Sequence, residues 1–304
     1  MVFDQPTISG FTYVRNGLQM EYPFIEAIKS VLDICDEFVI AIGDSTDGSR
    51  EAVEALRSDK IKIVDTVWDL ENRKGGLLFA DQSNTALEKC TCDWVIHVQA
   101  DELFHENDIQ LIKQEILRNN VNEQVEGFLF PFLNFYGSYN VIRTSRRAHR
   151  FEVRAFRNNK SIYAYKDSQG FRKHFSKEEF HLGSVGEKLN VVKLDYPVYH
   201  YTKVRPPKGM AEKSNFFMRF WHQDEALEKR KHQKDFDYYN VDRVERYVGS
   251  HPELMDTHIE AQDWIFDLDK VKSNMPMKYK ILHFIEDITG HRLFEYKNYS
   301  LLKK

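Results

Sequence analysis

Apolar runs that end in polar turns, alternating with helical periodicities, organise the first hundred residues. Ile8-Ser9-Gly10-Phe11-Thr12-Tyr13-Val14 reads as a strand entering the polar Arg15-Asn16, and Ile25, Ile28 and Leu32 follow at helical spacing. A second strand, Phe38-Val39-Ile40-Ala41-Ile42, runs into Gly43-Asp44-Ser45-Thr46-Asp47-Gly48-Ser49. That loop is rich in acceptors and N-capping residues and precedes a helix carrying Val53 and Leu56. Residues 60–67 alternate as a third strand, a polar loop leads into a helix over 77–89, and Trp94-Val95-Ile96-His97-Val98 forms a fourth strand. Strand, helix, strand, acidic turn, helix is the order of a nucleotide-binding half-sheet.

Beyond this half the spacing predicts a helix over 102–118 and a strongly apolar, aromatic strand over 126–135. The segment 143–157 holds six arginines, and its tail puts Phe151, Val153 and Ala155 on one face, which predicts a strand with an exposed basic side. A solvated sheet face is the preferred reading of those arginines; contact with phosphates of a donor or of a phosphorylated acceptor is the other. Residues 158–190 have weak periodicity and the look of pocket-shaping loops. A short strand over 196–201 is stopped by Pro206-Pro207. Met210, Phe217 and Trp221 then share a helical face, and the charge-rich 225–234 reads as solvated. A last helix over 277–289 carries Ile281, Phe284, Ile285 and Ile288 and is closed by Gly290. Its stripe predicts docking on the parent domain, with membrane-surface contact through the basic flank as the alternative. No internal repeat or low-complexity tract is visible.

Composition narrows the classes. A chain of 304 residues with 42% hydrophobic and 13% aromatic content can bury one large α/β core with an appendage, or two modest domains. A formal net charge of −4, with Lys and Arg spread along the chain, argues against nucleic-acid binding. No apolar run approaches the roughly 20 residues of a membrane span, and no secretory pattern is expected at the start. Cys35, Cys90 and Cys92 make no disulfide framework and fit a reducing compartment. Cys90, Cys92 and His97 lack a second ligand pair at zinc-site spacing.

The chemistry concentrates at Gln99-Ala100-Asp101-Glu102, where an apolar strand delivers adjacent acids at its carboxyl end. Open α/β sheets bind ligands there, and an aspartate so placed can hold a divalent cation against a diphosphate. Taken with Thr12-Tyr13-Val14-Arg15-Asn16 and Asp44-Ser45-Thr46-Asp47-Gly48-Ser49, this run resembles, in order and spacing, the family 2 type glycosyltransferases of the GT-A fold over roughly residues 8–105. Two departures stand out: Ile42 and Gly43 occupy the place of two acidic residues, and Gln99 that of the first aspartate of Asp-x-Asp.

The resemblance implies a Rossmann-like mixed sheet flanked by helices over 1–205, with a donor half (1–105) and an acceptor half (106–205), and a mostly helical extension over 206–304. It implies sugar transfer from a nucleotide-diphosphate donor to a glycan or lipid-linked acceptor, metal-assisted and inverting, as in cell-surface polysaccharide biosynthesis. The expected cofactor is Mn2+ or Mg2+ on Asp101 and His200, with Glu102 as helper. Donor contacts are expected from Thr12, Tyr13, Arg15, Asp44, Lys74, Asn84 and Gln99, and from Lys203 and Arg205 on the phosphates. Of Asp167, Glu178, Glu179 and Glu187, in the segment where the family places a general base, Glu179 is the expected one, with Asp101 the other catalytic carboxylate. The expected setting is cytoplasmic, at the membrane face. The competing readings are a sugar-phosphate nucleotidyltransferase, which would release pyrophosphate, and a binding protein that has lost catalysis, for which Gln99 is the support.

Overall fold

The computed structural model describes residues 5–72, 75–222 and 234–302. β1 (Ile8–Val14), α1 (Phe24–Leu32), β2 (Glu37–Ile42), α2 (Ser49–Glu54), β3 (Ile61–Asp65), α3 (Leu77–Glu88) and β4 (Trp94–His97) build a parallel half-sheet in the order β3-β2-β1-β4. On α1 the core side is Phe24, Ala27, Ile28 and Val31, spaced i, i+3, i+4, i+7, while Ile25 and Leu32 are half-buried. The Phe38 ring lies against the β1 backbone because position 10 is glycine: a Cβ there would run into that ring.

The chain continues through β5 (Glu102–Phe104), α4 (Glu106–Asn119), β6 (Gly127–Tyr136), β7 (Ser138–Arg143) and β8 (Phe151–Arg157). β9 (Ile162–Tyr165), β10 (Gly170–Lys173) and, after α5 (Lys177–His181), β11 (Glu187–Lys188) form a separate small sheet. β12 (Asn190–Lys193), β13 (Val198–Lys203) and α6 (Pro207–Met218) follow. β8 joins the two halves by pairing antiparallel with both β4 and β6. Along its ten residues β6 pairs parallel first with β12 and then with β13. The later chain returns two short strands: Val244–Arg246 pairs with β7, and Ser300–Leu301 with the free side of β12.

Three expectations are corrected. Residues 102–104 are not the start of a helix, because Glu102, Leu103 and Phe104 pair with His200, Tyr199 and Val198; α4 starts only after His105, whose ring accepts from the Asn107 amide. The arginines of β8 and its approach do not all form a solvated face: Arg147 and Arg150 are exposed, but Arg146 and Arg154 are not. Arg154 is 2% exposed and Arg146 has its side chain buried against Glu286, because each meets a carboxylate inside the fold. The Met277–Thr289 helix is turned over: Met277, Ile281, Phe284 and Ile288 face out, and it packs through Tyr279, Leu282, His283 and Glu286. Ion pairs from Glu286 to Arg146 and from Asp287 to Arg243 hold that polar side down. No helix among the described residues is long and apolar enough to cross a membrane.

Candidate active site

A cleft of about 890 Å³ opens at the carboxyl ends of β1 and β4 and is roofed by α6. Asp101 stands in the turn between β4 and β5, pinned through its carbonyl by the Tyr201 amide at 2.8 Å. His200, Lys213 and the Thr202 hydroxyl face its carboxylate: His200 Nε2 is 3.7 Å from Oδ1, and Lys213 Nζ is 3.2 Å from Oδ2. Burial alone would raise the Asp101 carboxyl, but the Lys213 ammonium beside it outweighs that and holds it below the usual carboxylate range. Burial and then Arg205 pull the Lys213 ammonium down to about 7 against the attraction of Asp101.

The tautomer of His200 follows from its neighbours. Asn134 donates through Nδ2 to the His149 carbonyl at 2.6 Å, so its Oδ1 is the atom that accepts from His200 Nδ1 at 3.0 Å. Burial keeps the imidazole neutral, and the lone pair of Nε2 therefore points at Asp101 Oδ1. Two facing lone-pair donors, one of them a carboxylate, suit a divalent cation, and a histidine fixed through its other nitrogen is the usual form of a metal ligand. Among the described residues no group of three or more His, Cys, Asp or Glu side chains forms a cage. The donor set thus fits a cation that completes its shell with phosphate oxygens and water. Glu102 is not free to help: it is fully buried, and both its oxygens are bound by Arg154, at 2.8 and 2.7 Å.

Tyr13, Arg15 and Gln99 line the cleft. Arg15 donates to Asp44 at 2.8 Å, beside Trp68. No acidic side chain fits at position 43 without a shift: a Cβ there would lie 2.7 Å from the Trp68 indole nitrogen and 2.9 Å from the Arg15 Cβ. Gln99 donates to the Ser168 carbonyl at 3.0 Å, joining the β4 turn to the opposite wall. Thr12 is buried on β1 and does not line the cleft. Asn84 is also absent from the wall, its oxygen accepting from the Ala164 amide. Lys203 lies against Tyr136 and Phe236, and Arg205 donates to the Met20 carbonyl under Tyr22, both behind the cleft. Lys74 lies outside the described residues.

The cleft wall presents Asp167 rather than Glu179. Glu179 does not line the cleft; its oxygens accept from the Phe175 amide and the Ser184 hydroxyl and tie off the α5 turn. Asp167 does line it, at the tip of the β9–β10 hairpin between Lys166 (φ 53°) and Ser168 (φ 66°), two non-glycine residues in the left-handed region. Such strain concentrates at functional sites. Among the described residues Asp167 Oδ1 is buried without a hydrogen-bond partner, and burial raises the carboxyl above its ordinary value of 3.8. Lys213 was also missed from sequence, although it falls on the same α6 face as Met210 and Phe217, where a lysine must either be buried or break the stripe.

The family model described as Glycosyl transferase family 2 matches residues 21–179, a span that includes Asp44, Asp101 and Asp167 and stops short of His200 and Lys213. No curated protein sequence matches the chain. Among solved structures it is similar to the mannosyltransferase PcManGT of Pyrobaculum calidifontis in complex with GDP-Man and Mn2+, at 21% identity and a TM-score of 0.32, covering 43% of this chain and 36% of that one. It is also similar to S. aureus TarS 1-349 in complex with UDP, at 13% identity and a TM-score of 0.36, covering 74% and 69%. A third is glucosyl-3-phosphoglycerate synthase of Mycobacterium tuberculosis, at 18% identity and a TM-score of 0.29, covering 43% and 44%. The chain spans little more than a third of the mannosyltransferase. The family match, covering over half of the residues, is the finding that decides: the chain belongs to glycosyl transferase family 2.

Proposed function

We propose that this protein transfers a sugar from a nucleotide-diphosphate donor to a hydroxyl of a glycan or lipid-linked acceptor, with metal assistance and inversion. The observation that carries the reading is one cleft holding Asp101 and His200 with facing lone pairs and, on another wall, Asp167, whose Oδ1 has no hydrogen-bond partner among the described residues. Asp101 and His200 would hold the cation, which when bound supplies positive charge to the diphosphate. Lys213 adds an ammonium beside it, suited to the charge that grows on the leaving diphosphate. Asp167 takes the proton of the acceptor hydroxyl as its oxygen bonds to the anomeric carbon and the carbon–phosphate-oxygen bond breaks, its electron pair leaving with the diphosphate. Tyr13, Arg15, Trp68 and Gln99 frame the donor, and Phe79 and Trp221 close the cleft against water.

The setting we propose is cell-surface polysaccharide assembly at the cytoplasmic face of a membrane. Residues 274–304 carry six Lys and Arg against three acidic residues in a chain whose net charge is −4, and the outward face of the Met277–Thr289 helix is apolar. That pairing suits an anionic lipid surface.

Thermal unfolding with UDP, GDP, CDP and dTDP, each with and without Mn2+, tests the donor site. One diphosphate at about 100 times its Kd is expected to stabilise the fold by ~2.7 kcal/mol, several degrees in Tm, with the metal-dependent part lost in Asp101→Asn. No shift with any of the four would move the weight to a non-catalytic role. The His200 arrangement carries its own expectation: Asn134→Ala frees the ring and weakens Mn2+ binding about 10–100-fold, read by paramagnetic resonance titration. Asn134→Asp keeps an acceptor for Nδ1 and retains most of the affinity.

A further inference from the structure

A second cleft of about 380 Å³ adjoins the first, and the two share His149 and Gln169 in their walls. Its cations outnumber what the fold uses. Arg146 and Arg292 are nearly buried and answered by Glu286, and Glu152 is taken by His149. Arg150 reaches Glu286 and Glu295 only at 3.8 and 3.6 Å. Arg147 lies over the Tyr279 ring, and neither it nor Lys278 has a carboxylate within 4 Å among the described residues. Three cationic groups thus converge on one concave wall with little internal compensation. Like charges so placed repel one another unless an anion enters, and guanidinium pairs bind oxyanions best. The remaining wall is aromatic, with Tyr279, Tyr296 and Tyr299. Flat aromatic surface with a few converging polar groups is the lining of a small-molecule site rather than of a solvated face.

Position gives the cleft its role. Gln169, on the shared wall, is two residues from Asp167 on the same hairpin, so a ligand anchored among the arginines and extended past His149 reaches the Asp167 carboxylate. We infer that the second cleft seats the acceptor, and that this acceptor is a saccharide carrying an oxyanion, phosphate or carboxylate, held by Arg147, Arg150 and Lys278. The inference rests on the glycosyl-transfer reading for its direction, but not for the anion site itself.

Calorimetric titration of the full-length protein tests it, with mannose 6-phosphate, glucuronate, mannose and inorganic phosphate as probes. At least one of the two anionic sugars is expected to bind 10-fold or more tightly than mannose and than inorganic phosphate. Arg147→Gln combined with Lys278→Gln is expected to lose at least 10-fold of that affinity at unchanged Tm and unchanged nucleoside-diphosphate binding. Mannose binding as well as the anionic sugars, inorganic phosphate binding as well as mannose 6-phosphate, or an unaffected double variant would each overturn the assignment. If nucleoside diphosphate binds and neither anionic sugar does, the subsite falls and the transferase reading stands. If the anionic sugar binds and no nucleoside diphosphate does, the donor site falls and the anion site stands.

Discussion

Asp167→Asn is expected to lower kcat by about 10²–10⁴-fold while leaving nucleoside-diphosphate binding within about twofold. The substitution keeps the size of the side chain and its place at the hairpin tip, and removes only the capacity to accept a proton. Space there is tight: a Cβ on Gly76 would lie 2.6 Å from the Asp167 Cβ, so an isosteric change is the clean one. The pH profile gives the sign. A base works only when ionised, so the native rate falls as pH drops through its pKa, which burial sets above 3.8. The residual rate of Asp167→Asn is expected to lack that acid limb. Glu179→Gln is the control, since its carboxylate serves two local hydrogen bonds outside the cleft. If Glu179→Gln abolishes turnover and Asp167→Asn retains it within threefold, the assignment of the base is wrong.

Arg154→Met is expected to destabilise the fold by about 3–5 kcal/mol, because it leaves the Glu102 carboxylate fully buried without its partner. The pair is bidentate and lies between β5 and β8, so it ties the turn that carries Asp101 to the strand that joins the two half-sheets. The double variant Glu102→Gln with Arg154→Met is expected to recover much of the loss, since replacing both ions removes the uncompensated charge. Burial would raise the Glu102 carboxyl, but Arg154 overcomes this and lowers it from 4.5. A carboxylate with a depressed folded pKa contributes stability that is fully present above its unfolded value and is lost as pH falls through the folded one. The gap between native protein and Arg154→Met, read by urea unfolding, is therefore expected to be widest above about pH 4.5 and to narrow below it. A gap under 1 kcal/mol at neutral pH would mean that water reaches Glu102.

The parallel half-sheet was legible because its strands and helices are local patterns, and apolar runs ending in acceptor-rich turns have few other uses. The orientation of the Met277–Thr289 helix was not. Periodicity reports that a helix has two faces, and here arginines reaching Glu286 and Asp287 from distant segments decided which face lies inward. Glu102-Leu103-Phe104 read as a helix start because its strand partner, Val198 to His200, lies almost a hundred residues away. Asp101 stands out in the sequence because it follows the end of a strand, whereas proposing Asp167 rather than Glu179 as the base required the path of a hairpin held by two left-handed residues. Lys213 escaped notice because a helical lysine is ordinarily solvated; only the packing of α6 over Asp101 and Tyr22 buries it.

The pairing of β12 bears on how the chain is made. One side of β12 binds β6, which the ribosome has already released, but the other waits for Ser300–Leu301, more than a hundred residues later. At 5–20 residues per second that interval is on the order of 5–20 s. Throughout it β12 presents a bare row of amides and carbonyls, the kind of edge on which nascent chains pair with one another. Translation speed between β12 and Ser300–Leu301 therefore sets how long this protein must be shielded from its own neighbours on the polysome.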